Sequence, residues 1–225
     1  MISAANSYPP RLLPLRLPRV CVALTATDPA ELIAKAEALV RDNPFLEFRL
    51  DYIPKPGLAI AKIKQFFDTH PGTMVIATCR RAASGGKFRG SIASQLDILS
   101  KASAAGCQLV DVELQTAQKC KPAQLQKLRT RSALVLSFHD FRGTKKLSET
   151  LEKMRAFPAD FYKVVSTAGT LSDNVAMIQF LFGARHIDLR RRQRAVCQNG
   201  HPIRQHLDKA PAHVIAVGLG GILSA

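Results

Sequence analysis

Tryptophan is absent from the 225 residues, and tyrosine occurs three times. A platform that stacks unpaired nucleobases is built from such side chains, so their scarcity argues against a single-strand nucleic-acid binder. Long apolar runs are missing too, and none approaches the roughly 18 residues that a membrane-spanning helix requires. The five cysteines, Cys21, Cys79, Cys107, Cys120 and Cys197, are odd in number and contain no CxxC pair. Neither a disulfide framework nor a zinc site follows from that spacing. Cys21 and Cys79 stand in strand-like apolar runs and are expected to be small buried hydrophobes in a reduced, cytoplasmic protein. No GxGxxG or GxxxxGK[ST] follows a strand, which removes the dinucleotide and P-loop phosphate cradles.

A strong positive balance is present. The formal net charge is +15, and residues 184–225 alone hold seven Lys/Arg against two Asp. Elsewhere the excess is spread without a basic run accompanied by stacking aromatics, which fits a field that draws in a small anion better than a nucleic-acid groove. The first residues, MISAANSYPPRLLPLRLPRV, are basic but interrupted by Pro9, Pro10, Pro14 and Pro18. Proline removes a helix donor and breaks any apolar h-region, so residues 1–18 read as a loose lead-in rather than a signal peptide. Residues 19–225 are then expected to form one domain.

Within that domain, short β-branched runs alternate with longer amphipathic ones. RVCVAL (19–24), FLEFRLD (45–51), TMVIAT (73–78), QLVDVEL (108–114), SALVLS (132–137) and FYKVV (161–165) read as strands. Helices are expected from Asp28, over 58–67, 91–105, 122–128 and 147–157, and over 173–182. Asp28-Pro29-Ala30-Glu31 supplies an N-cap, a proline at the first helical position and an early acid, and Gly106 suits the residue after a helix end. Repeated βα units imply a parallel sheet covered by helices. Six units in about 165 residues leave room for two more, which favours a (β/α)8 barrel over an open doubly wound sheet.

The chemistry is carried by polar residues embedded in these strands, where an unpaired charge is costly. Glu47, Arg49 and Asp51 recur with period two and so share a face, expected to point into the barrel or its C-terminal mouth, where such folds place catalysis. Arg80, Asp111, Glu113, His139 and Lys163 lie at or near the ends of later strands. Lys163 is flanked by Phe161, Tyr162, Val164 and Val165. Desolvation there would lower its pKa, and a neutral amine can attack a carbonyl. An imidazole on the neighbouring strand can exchange a proton with the adduct, and the arginines can hold a carboxylate. The residues alone therefore point to an imine-forming aldolase or dehydratase acting on a small oxo-acid.

FLEFRLD, ATCR, DVEL, SFHDF and FYKVVSTA, in this order and spacing, closely resemble the type I 3-dehydroquinate dehydratases, from about Arg19 to Phe182. The resemblance implies a TIM barrel that converts 3-dehydroquinate to 3-dehydroshikimate, the third step of the shikimate pathway, without metal or organic cofactor, and often as a homodimer. It implies that Lys163 forms the imine and that His139 moves the protons of a syn elimination. Glu47 and Arg49 would grip substrate hydroxyls, Arg80 would be a second substrate-binding arginine, and Asp111 and Glu113 would support the barrel mouth. The SGGKFRG segment matches the place of a mobile loop near the site.

The pattern departs from the family at three places. Ala23 stands where a serine is common, and Ser84 where some members place a glutamate. After Phe182 the expected G-x-x-S-R-x-x-G and F-G-S signatures are missing, and the basic run Arg190–Arg194 is unlike a buried strand. Arg204, 41 residues after Lys163, is the candidate for the carboxylate-binding arginine. The segment AHVIAVGL offers a closing strand. The break reads as a change of reading frame, leaving a barrel incomplete or altered in its last two βα units. The competing functions are a weakly active or inactive barrel whose basic tail binds polyanions, and another Schiff-base aldolase or lyase.

Overall fold

The computed structural model describes Leu17, Pro18, residues 20–197 and residues 213–220. These residues divide into two compact units, one ending at Val135 and one beginning at Leu136.

In the first unit, strands β1 (Val22–Thr25), β2 (Phe45–Arg49), β3 (Met74–Thr78) and β4 (Leu109–Glu113) pair in parallel and in sequence order. Helices α1 (Pro29–Leu39), α2 (Ala59–Thr69) and α3 (Ile92–Ala104) make the crossovers, followed by α4 (Leu114–Ala117) and α5 (Pro122–Arg129). The Asp28 carboxylate caps α1 as expected, accepting from the amides of Ala30 and Glu31 at 2.8 and 3.0 Å. Ser91 caps α3 through the amide of Ser94. Gly106 closes α3 with φ +121°, and a Cβ there would lie 2.6 Å from the Phe67 ring. Every residue of β4 is buried, and so are the first four of β2, as expected of strands covered on both faces. The short helix α4 was not foreseen.

In the second unit, β5 (Ala133–Asp140, which starts in the first), β6 (Phe161–Ala168) and β7 (His213–Gly220) are joined by α6 (Leu147–Met154) and α7 (Leu171–Cys197). β6 and β7 pair in parallel, Lys163 opposite Ile215. In each unit the parallel strands alternate with helices, the βα repetition of a barrel fold.

Three expectations are corrected. Cys21 is exposed and lies outside β1, which starts at Val22, three residues later than the expected Arg19. Asp51 does not continue the strand period, since the chain turns at Arg49 into a 3-10 turn, Leu50–Tyr52. The last helix does not stop at Phe182 but runs to Cys197, so Arg190–Arg194 are helical. Leu, Ala, Arg and Gln favour helix and proline is absent from this stretch, while Gly183 costs only about 1 kcal/mol. AHVIAVGL does supply a strand, β7, beside β6. Residues 1–16 and Arg204 lie outside the described residues.

Candidate active site

Register fixes which side chains of β1–β4 face the same way. Ala23, Glu47 and Ile76 lie in one row, and Thr25, Arg49, Thr78 and Asp111 in the next. Side chains two residues apart along a strand project to one side, so Glu47 shares a face with Arg49, Thr78 and Asp111. Glu47 is buried and accepts from Thr78 Oγ1 at 2.7 Å. Arg80, two residues past Thr78, is 5% exposed. Its Nη2 donates to Asp111 Oδ2 at 3.2 Å and lies 4.0 Å from Glu47 Oε1. Its Nε is buried with no hydrogen-bond partner among the described residues. An unmet buried donor costs about 1–3 kcal/mol, so this atom is suited to an incoming acceptor.

Arg49 is held from the turn that follows it. Its Nε and Nη2 donate to the two Asp51 oxygens, each at 2.9 Å, and its guanidinium lies 4.9 Å from the centre of the Tyr52 ring. Burial alone would lower the pKa of this guanidinium, but the bond and charge of Asp51 outweigh it and hold the pKa above its ordinary value. The Glu113 pKa is raised too, but here burial is the cause, followed by the charge of Asp111. It accepts from the Arg81 amide at 2.7 Å, Gln95 Nε2 at 2.7 Å and Thr116 Oγ1 at 3.2 Å. Asp111 thus holds Arg80, and Glu113 holds the Arg81 amide, Gln95 and Thr116. The roles of Thr78 and Gln95 were missed, because their partners lie 31 and 18 residues away. Nothing in local sequence spacing announces such bonds.

The second unit carries the other two candidates. His139 is the seventh residue of β5 and stacks on Phe141, with ring centres 5.9 Å apart. Asp140 Oδ1 accepts from the Arg142 amide at 2.9 Å and closes the turn after the strand. Lys163, half-buried, is the third residue of β6 and alternates with buried Phe161 and Val165 on one face. Thr144, in the loop after β5, contacts Ser166 Oγ at 2.9 Å and donates to the Thr167 carbonyl at 3.1 Å. The loop that follows His139 is thereby tied to the far end of the strand that carries Lys163. Sequence reasoning did not single out Thr144.

The family described as Type I 3-dehydroquinase has a model that matches residues 20–189. The chain is similar to the 3-dehydroquinate dehydratase of Dehalococcoides mccartyi strain 195, with 33% identity over 171 residues, 74% of this chain and 71% of that protein. The 3-dehydroquinate dehydratase of Coxiella burnetii strain Dugway 5J108-111 is 26% identical over 175 residues, 76% of this chain and 72% of its own length. Among solved structures, the 3-dehydroquinate dehydratase of Geobacillus kaustophilus HTA426 aligns with a TM-score of 0.69 at 20% identity, covering 89% of this chain and 73% of that one. The Enterococcus faecalis 3-dehydroquinate dehydratase gives 0.66 at 17% identity, covering 90% and 80%. At these identities the two structures show a shared fold, the βα barrel type.

Proposed function

The chain belongs to the type I 3-dehydroquinase family, and from that premise we propose how its own side chains carry the dehydration of 3-dehydroquinate to 3-dehydroshikimate. Lys163 attacks the ring ketone through its amine. Loss of water from the adduct gives a protonated imine, whose nitrogen is an electron sink and acidifies the neighbouring C–H. His139 removes that proton, then returns one to the departing hydroxyl on the same face of the ring. Elimination leaves a conjugated imine, and hydrolysis by water frees the enone and restores the lysine. Water lost at imine formation balances water gained at hydrolysis, so the net product besides the enone is one water.

Glu47, Arg49 and Arg80 bind the substrate. Glu47 accepts from a ring hydroxyl, Arg49 donates to another, and the unmet Nε of Arg80 supplies a further donor. The observation that carries the reading is the ordered set Glu47-x-Arg49, Arg80, His139-Asp140-Phe141 and Lys163, each within or just past its own strand. A small anionic substrate also suits the net charge of +15. A cytoplasmic setting and a homodimer belong to the same proposal, the first in keeping with the free thiols of buried Cys79 and Cys107.

Turnover tests the proposal. Purified protein given 3-dehydroquinate is expected to generate the ultraviolet absorbance of a conjugated enone at a rate unchanged by chelator. Absence of that signal from folded protein would overturn it. An aldolase reading would instead require carbon–carbon cleavage products in the same reaction.

A further inference from the structure

The Gly-containing segment SGGKFRG, expected as a mobile loop, is held by two buried carboxylates, one at Lys87 within it and one at Arg81 just before it. Asp51 Oδ2 accepts from the Lys87 amide at 3.0 Å, and Glu113 Oε1 from the Arg81 amide at 2.7 Å. Between these anchors the chain folds back on Arg80. The Phe88 amide donates to the Arg80 carbonyl at 3.0 Å, the Ala82 amide to Phe88 O at 2.9 Å, and the Gly86 amide to Arg81 O at 2.9 Å. Gly86 packs so tightly that a Cβ would stand 2.1 Å from the Arg80 carbonyl oxygen. The backbone of Arg80 is therefore set by a segment that Asp51 holds.

The same Asp51 carboxylate takes both prongs of the Arg49 guanidinium. Its side chain is fully buried, and its two oxygens already serve three donors. We propose that Asp51 is a positioning residue that sets Arg49 directly and Arg80 through the segment of residues 81–88, so that the two arginines meet substrate as one preorganised pair. This rests on the reading that both arginines bind substrate. Asp51 itself touches none. Its carboxylate cannot be replaced by an amide without loss, because an amide offers a single acceptor oxygen and turns an NH2 group toward donors.

The test compares Asp51→Asn, Arg49→Ala and the double variant in steady-state kinetics. Asp51→Asn is expected to raise KM by about tenfold or more, the loss of a charged hydrogen bond, while kcat stays nearly level. That rise is expected to shrink in the Arg49→Ala background. Trypsin provides a readout independent of turnover, since Lys87 and Arg89 are exposed. Cleavage after these two residues is expected to speed several-fold in Asp51→Asn while cleavage elsewhere does not. An unchanged KM, a KM effect that persists in full without Arg49, or unchanged cleavage would overturn the proposal. A wild-type protein that cleaves slowly but never turns over substrate would sink the enzymatic reading and leave the cleavage arm to judge the coupling. If Asp51→Asn does not fold, Arg49→Lys breaks the two-pronged contact from the other side and carries the same KM prediction.

Discussion

Lys163 and His139 divide the proposed chemistry, and substitution separates their parts. Lys163→Ala removes the nucleophile and is expected to abolish turnover. His139→Asn leaves the amine in place, so an imine still forms, while proton transfer slows and kcat falls by about a hundredfold or more. A variant at 139 that retained full kcat would contradict the role. Glu113 supplies a prediction in pH. Its pKa in the folded protein is raised by burial and by Asp111, so the folded state binds its proton more tightly than the unfolded state does. Its contribution to stability is greatest below the ordinary carboxylate pKa and is lost as pH rises from there through the raised value. Thermal melts across that window are expected to show this decline in the wild type and to lose it in Glu113→Gln. A decline that survives the substitution would assign it to another group.

At the scale of elements, one glycine has a geometric task that substitution exposes. Gly106 sits at φ +121° with the Phe67 ring 2.6 Å from where a Cβ would stand. Gly106→Ala is expected to cost more than about 1 kcal/mol and to lower Tm by several degrees in calorimetry. Unchanged melting would show that the α3–β4 joint relaxes freely. The element order was legible because hydrophobic period and caps are local: Asp28 and Pro29 announced the first helix, Gly106 the end of the third, and FLEFRLD announced Glu47 and Arg49 on one face. The tighter features were not legible. A strand period says nothing of where the strand ends, so the turn that swings Asp51 beneath Arg49 was hidden in FLEFRLD. The bonds from Thr78 to Glu47, Lys87 to Asp51 and Thr144 to Ser166 join residues 22 to 36 positions apart. Local pattern fixes the rows, and tertiary pairing fixes which charges meet. The length of α7 was hidden for a related reason, since the basic run Arg190–Arg194 marks a departure from a buried strand without its helix propensity being counted.

For the whole molecule, the excess of positive charge is a kinetic device if the substrate is a small anion. Screening shortens the reach of that field to about 8 Å at 0.15 M ionic strength. The expected outcome is a kcat/KM that falls as salt is added while kcat holds, measured with a neutral salt that does not compete for the site. A salt-indifferent kcat/KM would remove electrostatic steering from the account. Binding to DNA that weakens steeply with salt would favour the competing polyanion reading for residues 184–225. The proposed imine between Lys163 and 3-dehydroquinate is tested by reduction in place. Folded protein is incubated with 3-dehydroquinate and borohydride, and its intact mass is measured and mapped by peptide. One covalent adduct is expected, on Lys163, and it is lost in Lys163→Ala. No adduct, or an adduct on a different lysine, would contradict that imine.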